Sequence, residues 1–170
     1  MVHLYLGDGK GKTTAALGLA VRILGWDRKV LLAQFLKSFD TGEYAFLSSQ
    51  KGIVFIRPFM HNKGFLWEMN SEAIEVTKDD IRKGFQDICR QIMSDKFSLI
   101  ILDEILDVIE CGFVSEDSVL ELIDNYPAEY VLTGRRASEK IKEKADYITV
   151  MVKEKHPFDK GIAARKGIEF

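Results

Sequence analysis

The sequence predicts an α/β fold in which a mostly parallel central sheet is flanked by helices. One observation is alternation, because short apolar runs are separated by segments whose apolar residues recur with a helical period. Another is that several of the short runs are apolar without interruption, as is typical of parallel strands covered on both faces. Such a sheet is expected to bind ligands at the carboxyl ends of its strands. The predicted strands are 3–6, 29–36, 53–56, 97–102, 129–132 and 147–152.

The first helix follows the first strand directly. Leu17, Ala20, Val21 and Leu24 have the spacing of one helical face. Gly25 comes immediately after them, and we expect it to end the helix in a left-handed conformation.

Three more helices are predicted further along the chain. The start of the second is ambiguous between Ser71 and Thr77, both of which suit a helix N-terminus. Ser115 is expected to cap the third helix, and the fourth begins near Ser138. The apolar stripe of the second helix consists of Ile81, Phe85, Ile88 and Ile92.

Length and composition limit the class of protein. A chain of 170 residues is expected to form one domain, and 46% hydrophobic with 29% charged residues exclude a disordered tail or a fibrous repeat. A net charge of −2 argues against nucleic acid as a partner, and no apolar run approaches the length of a membrane span. Two cysteines are too few for a disulfide scaffold or a zinc cage. The N-terminus lacks the features of a secretion signal. Together these observations predict a cytoplasmic enzyme or switch.

A glycine-rich loop stands between the first strand and the first helix, which is the context that a phosphate-binding loop requires. Glycines let backbone N–H groups approach phosphate oxygens, the following lysine adds a mobile charge, and the next hydroxyl can bind Mg²⁺. The strict signature places its first glycine at position 6, which is leucine here, so the loop is a variant. A surface hairpin is the alternative, but it leaves the helical stripe that follows at once unexplained. The predicted nucleotide-binding residues are Gly7, Asp8, Gly9, Lys10, Gly11, Lys12, Thr13 and Thr14.

A second motif delivers two acidic residues at the end of a buried strand. The run 99–102 is apolar, and Asp103 and Glu104 follow it. In nucleotide enzymes with a phosphate loop, such acids hold Mg²⁺ opposite the loop hydroxyl, which is that of Thr13 here. Acidic residues also end many strands without a function, and the pattern leaves open which of the two contacts the metal.

Three further stretches follow predicted strands and are therefore expected at the same edge of the sheet. They are 34–37 together with Gly42 and Glu43, the segment 64–68, and 133–135, which includes Arg135.

The ordered set of motifs resembles the P-loop family of ATP:corrinoid adenosyltransferases, which act in cobalamin synthesis and salvage. The resemblance covers essentially the whole chain, and each motif alone is only moderately specific. The matching motifs are 7–16, 34–37, 64–68, 102–104, 133–135, Lys155 with His156, Phe158, Gly161 and 167–169.

The resemblance implies a P-loop NTPase architecture of the RecA-like type and a specific reaction. A reduced corrinoid, with cobalt as Co(I), attacks the 5′ carbon of ATP, and inorganic triphosphate leaves. Positioning and charge neutralisation then carry the catalysis. Lys10, Lys12, the loop amides, Mg²⁺ and Arg135 suit the neutralisation of triphosphate. In this family ATP binds in reverse, with its terminal phosphate deep in the loop.

The resemblance also implies residues that contact the corrinoid. Phe65 and Trp67 match the aromatics that crowd the lower face of the corrin and displace its axial base, and His156 lies in a tail expected to fold over the site. Each buried aromatic contributes at most about 4–6 kcal/mol, which is the right order for displacing a ligand. The alternative is that Phe65 and Trp67 only anchor a long loop.

Two other functions remain open from the residues. A small-molecule or nucleoside kinase uses the same loop and acids but releases ADP, whereas a non-enzymatic, ATP-gated corrinoid-binding module shows binding without turnover. For the adenosyltransferase, the resemblance further implies an external reductant such as a flavoprotein and a homodimer. The preferred corrinoid does not follow from the sequence.

Overall fold

The computed structural model describes residues 1–37, 40–58, 61, 64 and 66–169, and of Trp67 the backbone alone. The described residues form one six-stranded parallel sheet with the strand order β3-β2-β4-β5-β1-β6. Its strands are β1 (Val2–Leu6), β2 (Val30–Gln34), β3 (Ile53–Ile56), β4 (Leu99–Asp103), β5 (Glu129–Thr133) and β6 (Tyr147–Val150). The predicted α/β class with a parallel sheet is confirmed.

Helices connect consecutive strands, and two short 3₁₀ helices, Leu66–Glu68 and Pro157–Lys160, lie in the loops. The α-helices are α1 (Lys12–Leu24), α2 (Gly42–Leu47), α3 (Ser71–Ser94), α4 (Ile105–Glu110), α5 (Glu116–Asn125) and α6 (Glu139–Lys144). The helices α2 and α4 were not predicted from the sequence, because each is only six residues long and offers too little periodicity to detect. Among the residues that the structure describes, no helix is both long and apolar enough to cross a membrane.

The continuous apolar runs are explained by burial on both faces of the sheet. Alternate residues of β4 enter two different clusters: Ile100 and Leu102 pack with α3, and Leu99 and Ile101 pack with α1. All five residues of β4 are buried. A strand in this position cannot alternate between apolar and polar residues, because neither of its faces contacts water.

Two details of the first helix were predicted wrongly. Gly25 has φ −63° and is right-handed, whereas the left-handed residue after the helix is Asp27, with φ 53°. Val21 is 56% exposed, and the buried positions of α1 are Ala16 and Ala20. Small side chains at these two positions let α1 lie close to the sheet beside the phosphate loop.

The helix N-termini agree better with the sequence. Ser115 and Ser138 accept hydrogen bonds from Ser118 N and Ile141 N and cap α5 and α6 as predicted. α3 begins at Ser71, and its cap is Asn70, whose Oδ1 accepts from Ala73 N.

Candidate nucleotide and corrinoid site

The glycine-rich loop packs tightly against the chain that leaves β6. Gly9 N donates to Met151 O at 2.8 Å, and a side chain at Gly9 would place its Cβ only 2.6 Å from that oxygen. Gly7 has φ 107° and Gly11, which precedes α1, has φ 119°, so both lie in the region that favours glycine. Glycine is therefore required here both by backbone conformation and by the close approach of a second segment.

The two lysines of the loop lie in different environments. Lys12 folds back over its own loop, and its Nζ donates to Gly7 O at 2.6 Å and to Gly9 O at 2.9 Å. Lys10 has a side chain 46% exposed and pairs with Glu169 at 3.1 Å. Asp8 accepts a hydrogen bond from Lys153 N at 3.3 Å and so joins the loop to the C-terminal segment.

A buried hydrogen-bond cluster connects the loop to the two acidic residues predicted from the second motif. Thr13 Oγ1 donates to Asp103 Oδ1 at 3.0 Å, and Thr133 Oγ1 donates to the same oxygen at 2.7 Å. Because β5 lies between β1 and β4 in the sheet, Thr133 sits between the loop and Asp103. Asp103 is fully buried, and these hydroxyls satisfy its Oδ1 atom.

Glu104 differs from its neighbour in conformation and surroundings. Its φ is 66°, and its backbone N donates to Thr133 Oγ1 at 2.8 Å. Its side chain lines the cavity above the loop. Burial, reinforced by the charge of Asp103, raises the pKa of Glu104 to about 7. A cation at this carboxylate would favour its ionised form.

A polar network at the ends of β2 and β3 adjoins Asp103. Gln34 is buried and donates to Asp103 Oδ2 at 3.1 Å and to Glu43 Oε1 at 3.2 Å. Arg57 donates to Gln34 Oε1 from both Nε and Nη2, at 3.0 and 2.6 Å. Lys37 Nζ lies 3.3 Å from Asp103 Oδ2 and 3.6 Å from Glu43 Oε1. The stretches 34–37 and 42–43 thus meet at one place, as predicted.

The charges of this network shift one another's proton affinities. Burial raises the pKa of Glu43, but hydrogen bonds from the backbone, Gln34 and Thr41 and the charge of Lys37 outweigh it and leave that pKa below its ordinary value. Burial lowers the pKa of Arg57. The Arg57 guanidinium lies over Tyr44, 4.4 Å from the ring centroid. Arg57 was missed by the sequence analysis, and its position just after β3 was the available signal.

A cavity of about 520 Å³ lies above the loop, within the range of small-molecule sites. It is lined by residues 9–14, Leu17, Lys37, Gly42, Glu43, Glu104 and 167–169. Lys10, Lys12, Thr13, Thr14 and Glu104 therefore share one cavity. A second cavity of about 650 Å³ between α3 and α5 contains no part of the loop.

Arg135 contributes through its backbone. Its N donates to Asp107 Oδ1 at 3.0 Å and its O accepts from Gly7 N at 3.1 Å, so the end of β5 is joined to both α4 and the loop. Its side chain is exposed and is not part of the cavity wall.

The predicted corrinoid contacts are only partly described. Phe65 and the side chain of Trp67 lie outside the described residues. His156 Nδ1 accepts from Phe158 N at 3.2 Å and caps the 3₁₀ helix of the tail, away from the walls of the phosphate cavity.

Three described residues that flank Phe65 and Trp67 in the sequence contact α3. His61 Nδ1 pairs with buried Asp80 at 2.7 Å, and Thr77 Oγ1 donates to Met69 Sδ at 3.6 Å. Pro58 lies so close to Gly84 that a Cβ at Gly84 would meet its ring at 2.5 Å.

The oxygen donors around Thr13 are of the kind that hard divalent cations such as Mg²⁺ bind. Among the described residues no three His, Cys, Asp or Glu side chains form a metal cage. Mg²⁺ does not need one, because it is usually held by one or two carboxylates together with substrate phosphates. The Thr13 hydroxyl and the carboxylates of Asp103 and Glu104 are hard oxygen donors of this kind.

The chain matches known proteins over its full length. The family described as "ATP:corrinoid adenosyltransferase BtuR/CobO/CobP" matches residues 1–170. A corrinoid adenosyltransferase of Pseudomonas aeruginosa is 34% identical over 171 residues, which cover 98% of this chain and 82% of that protein. A protein of the same name from Sinorhizobium sp. is 32% identical and matches all of this chain over 80% of its own length. One from Escherichia coli K12 is 28% identical and matches all of this chain over 85% of its own length. The chain therefore belongs to the ATP:corrinoid adenosyltransferase family.

Proposed function

We propose that this protein transfers the 5′-deoxyadenosyl group of ATP to the Co(I) centre of a corrinoid and releases inorganic triphosphate. The observation that carries the proposal is the combination of full-length family membership with a phosphate loop, a hydroxyl and two acidic residues around one cavity. The sheet that forms this site includes strands from residue 2 to residue 150, in keeping with a single adenosyltransferase domain over 1–170.

The loop binds the triphosphate end of ATP. Backbone N–H groups at the start of α1 provide donors and partial positive charge, whereas those of Gly7 and Gly9 already donate to Arg135 O and Met151 O. The Lys12 ammonium adds a full positive charge. Lys12 already lies over the loop, so it needs little movement to meet phosphate oxygens. The departing triphosphate gains negative charge in the transition state. These groups stabilise that charge and so lower the barrier of the reaction.

Magnesium is assigned to Thr13, Asp103 and Glu104. When bound, the ion neutralises phosphate charge. Glu104 faces the cavity and is the better candidate for a direct contact, whereas Asp103 is fully buried and fixes the Thr13 hydroxyl by accepting its hydrogen bond. Thr133 holds both acids in place, through Asp103 Oδ1 and the backbone N of Glu104.

ATP orientation distinguishes this reaction from phosphoryl transfer. With the terminal phosphate deep in the loop, the ribose 5′ carbon faces outward, where Co(I) attacks it and the C5′–O bond to the triphosphate breaks. The protein supplies alignment rather than covalent chemistry, and alignment alone lowers such barriers by several kcal/mol. Arg135 is proposed as a further phosphate contact, although its side chain is exposed here.

The corrinoid is proposed to bind against Phe65, Trp67 and His156, with the aromatics displacing the lower axial ligand. Pro58, His61 and Met69 contact α3 and flank both aromatics in the sequence. These contacts support the assignment, since groups that expel a ligand must rest on a rigid base.

The proposed reaction has consequences for partners and location. Co(I) requires an electron donor, for which we propose a separate reductase such as a flavoprotein. The use of ATP and Co(I) favours the cytoplasm. A homodimer agrees with the exposed apolar side chains of the edge strand β6, Tyr147, Ile148 and Val150, and sedimentation velocity tests it.

The decisive experiment mixes the protein with ATP, Mg²⁺ and chemically reduced cobalamin under anaerobic conditions. A light-sensitive adenosylated product together with inorganic triphosphate is the expected result. Formation of ADP with an acceptor would instead indicate a kinase, and tight binding of ATP and corrinoid without turnover would indicate a binding module.

A further inference from the structure

The chain turns at a strained residue immediately after β2. Phe35 is buried, and its N extends the sheet by donating to Asp103 O at 3.1 Å. Leu36, the next residue, has φ 44°, a conformation that is costly for a bulky side chain such as leucine. Such strain persists only where the surrounding structure maintains it, and it concentrates at functional sites. Its consequence here is that Lys37 enters the cavity instead of continuing along the strand.

Lys37 is an unusually protected lysine. Its side chain is only 16% exposed, and its Nζ lies 3.3 Å from Asp103 Oδ2 and 3.6 Å from Glu43 Oε1. Lysines are rarely buried to this extent unless they are paired. Lys37 also lines the cavity that contains Lys12, so two ammonium groups from different elements face the same space.

The partners of Lys37 are held independently of it. Gln34 donates to both Asp103 and Glu43, and Arg57 binds Gln34 and lies 4.0 Å from Glu43. Arg57 is itself fixed by its contact with the Tyr44 ring. Both carboxylates therefore keep a partner if Lys37 moves, and the flexible lysine side chain can reach another anion in the cavity.

We propose that Lys37 is a second phosphate-binding lysine, which leaves Asp103 and Glu43 for the triphosphate chain when nucleotide enters. The proposal rests on the proposed function, because it assigns the triphosphate to this cavity. On this proposal, the strained turn at Leu36 places a second cation in the cavity that Lys12 also lines. When Lys37 leaves, Asp103 Oδ2 keeps the hydrogen bond that it accepts from Gln34.

Inorganic triphosphate is the probe, and its binding to the full chain is measured by calorimetry with and without Mg²⁺. Lys37→Met is expected to weaken triphosphate binding by about ten- to a hundredfold, as is typical of the loss of a charged hydrogen bond. Lys51→Met is the matched control, since Lys51 is an exposed lysine just before β3 and outside the cavity wall. The affinity of this variant for triphosphate is expected to equal that of the wild type. Triphosphate affinity of Lys37→Met within threefold of the wild type overturns the proposal.

A second variant keeps the test open if Lys37→Met does not fold. Glu43→Gln keeps the acceptor for Gln34 but removes a charge that competes for Lys37, so triphosphate binding is expected to tighten severalfold. Unchanged or weaker binding by this variant then overturns the proposal. The binding measurement contains no corrinoid, so it tests the role of Lys37 separately from the reaction. If triphosphate binding depends on Lys37 but no adenosylated product forms, only the proposed function is rejected. If the product forms but triphosphate binding does not depend on Lys37, only the role of Lys37 is rejected.

Discussion

Replacement of Lys12 by alanine tests the assignment of the phosphate loop most directly. The Lys12 ammonium lies 2.6 and 2.9 Å from the carbonyl oxygens of Gly7 and Gly9, so it is held directly over the place where phosphate is proposed to bind. Its removal takes away one charged donor from the departing triphosphate. Loss of one such donor costs about 2.7–4 kcal/mol, or a factor of 10²–10³ in rate.

Lys10→Ala is the matched control for this change. Lys10 belongs to the same loop, but its side chain is 46% exposed and is paired with Glu169. Lys10 also lines the cavity, but water screens an exposed ammonium, so its interaction with the triphosphate is expected to contribute only about 0–1 kcal/mol. The rate is therefore expected to fall less than tenfold. The comparison separates a specific effect of Lys12 from a general effect of positive charge.

The assay follows formation of the light-sensitive adenosyl product from pre-reduced cobalamin at saturating ATP. Thermal melts of both variants are required, because Lys12→Ala also removes two backbone contacts and is expected to cost about 1–3 kcal/mol of stability. A near-normal rate for a folded Lys12→Ala protein, or a larger loss for Lys10→Ala, would refute the assigned role.

Three further predictions concern other parts of the site. Trp67→Ala is expected to slow the reaction from Co(II) substrate with a reductant more than the reaction from pre-reduced Co(I), and equal losses contradict displacement of the axial ligand. Burial and the charge of Asp103 raise the pKa of Glu104 from 4.5 to about 7, so the stability of the wild type falls as the pH rises through that interval. Glu104→Gln is therefore expected to be more stable than the wild type by about 2–3 kcal/mol at pH 8 without Mg²⁺, and similar to it at pH 4. Urea unfolding measures both free energies, and the same difference between variant and wild type at both pH values would contradict this. Gly9→Ala is expected to lower the melting temperature, because its Cβ would lie 2.6 Å from Met151 O, and an unchanged melt would show that the tail does not pack on the loop as described.

The structural elements that were predicted correctly around the candidate site are those whose members are close in sequence. The loop 7–14 combines glycines, a lysine and a hydroxyl within one strand–helix connection, so its geometry follows from local chain stereochemistry. The strand ending at Asp103 was recognisable because both of its faces are covered, which requires an uninterrupted apolar run.

Errors in the sequence analysis arose where local preference competed with packing. Gly25 was expected in the left-handed region, but Asp27 takes that conformation. Val21 has the spacing of a buried position, yet the smaller Ala20 is the residue that faces the sheet. Periodicity identifies a helical face only to within about one residue, and the shape of the neighbouring layer decides which side of that face is buried.

The amino-acid sequence alone determined the parallel α/β class, the phosphate loop and, through ordered motifs, the family, because these depend on short segments that carry their own conformational preferences. Only the tertiary structure decided that Thr13, Thr133 and Asp103 share hydrogen bonds and that Lys37 and Lys12 line one cavity. Those relations follow from strand order, which brings distant residues to the same edge of the sheet. No local pattern encodes that order, because it results from the packing of all the strands and helices together.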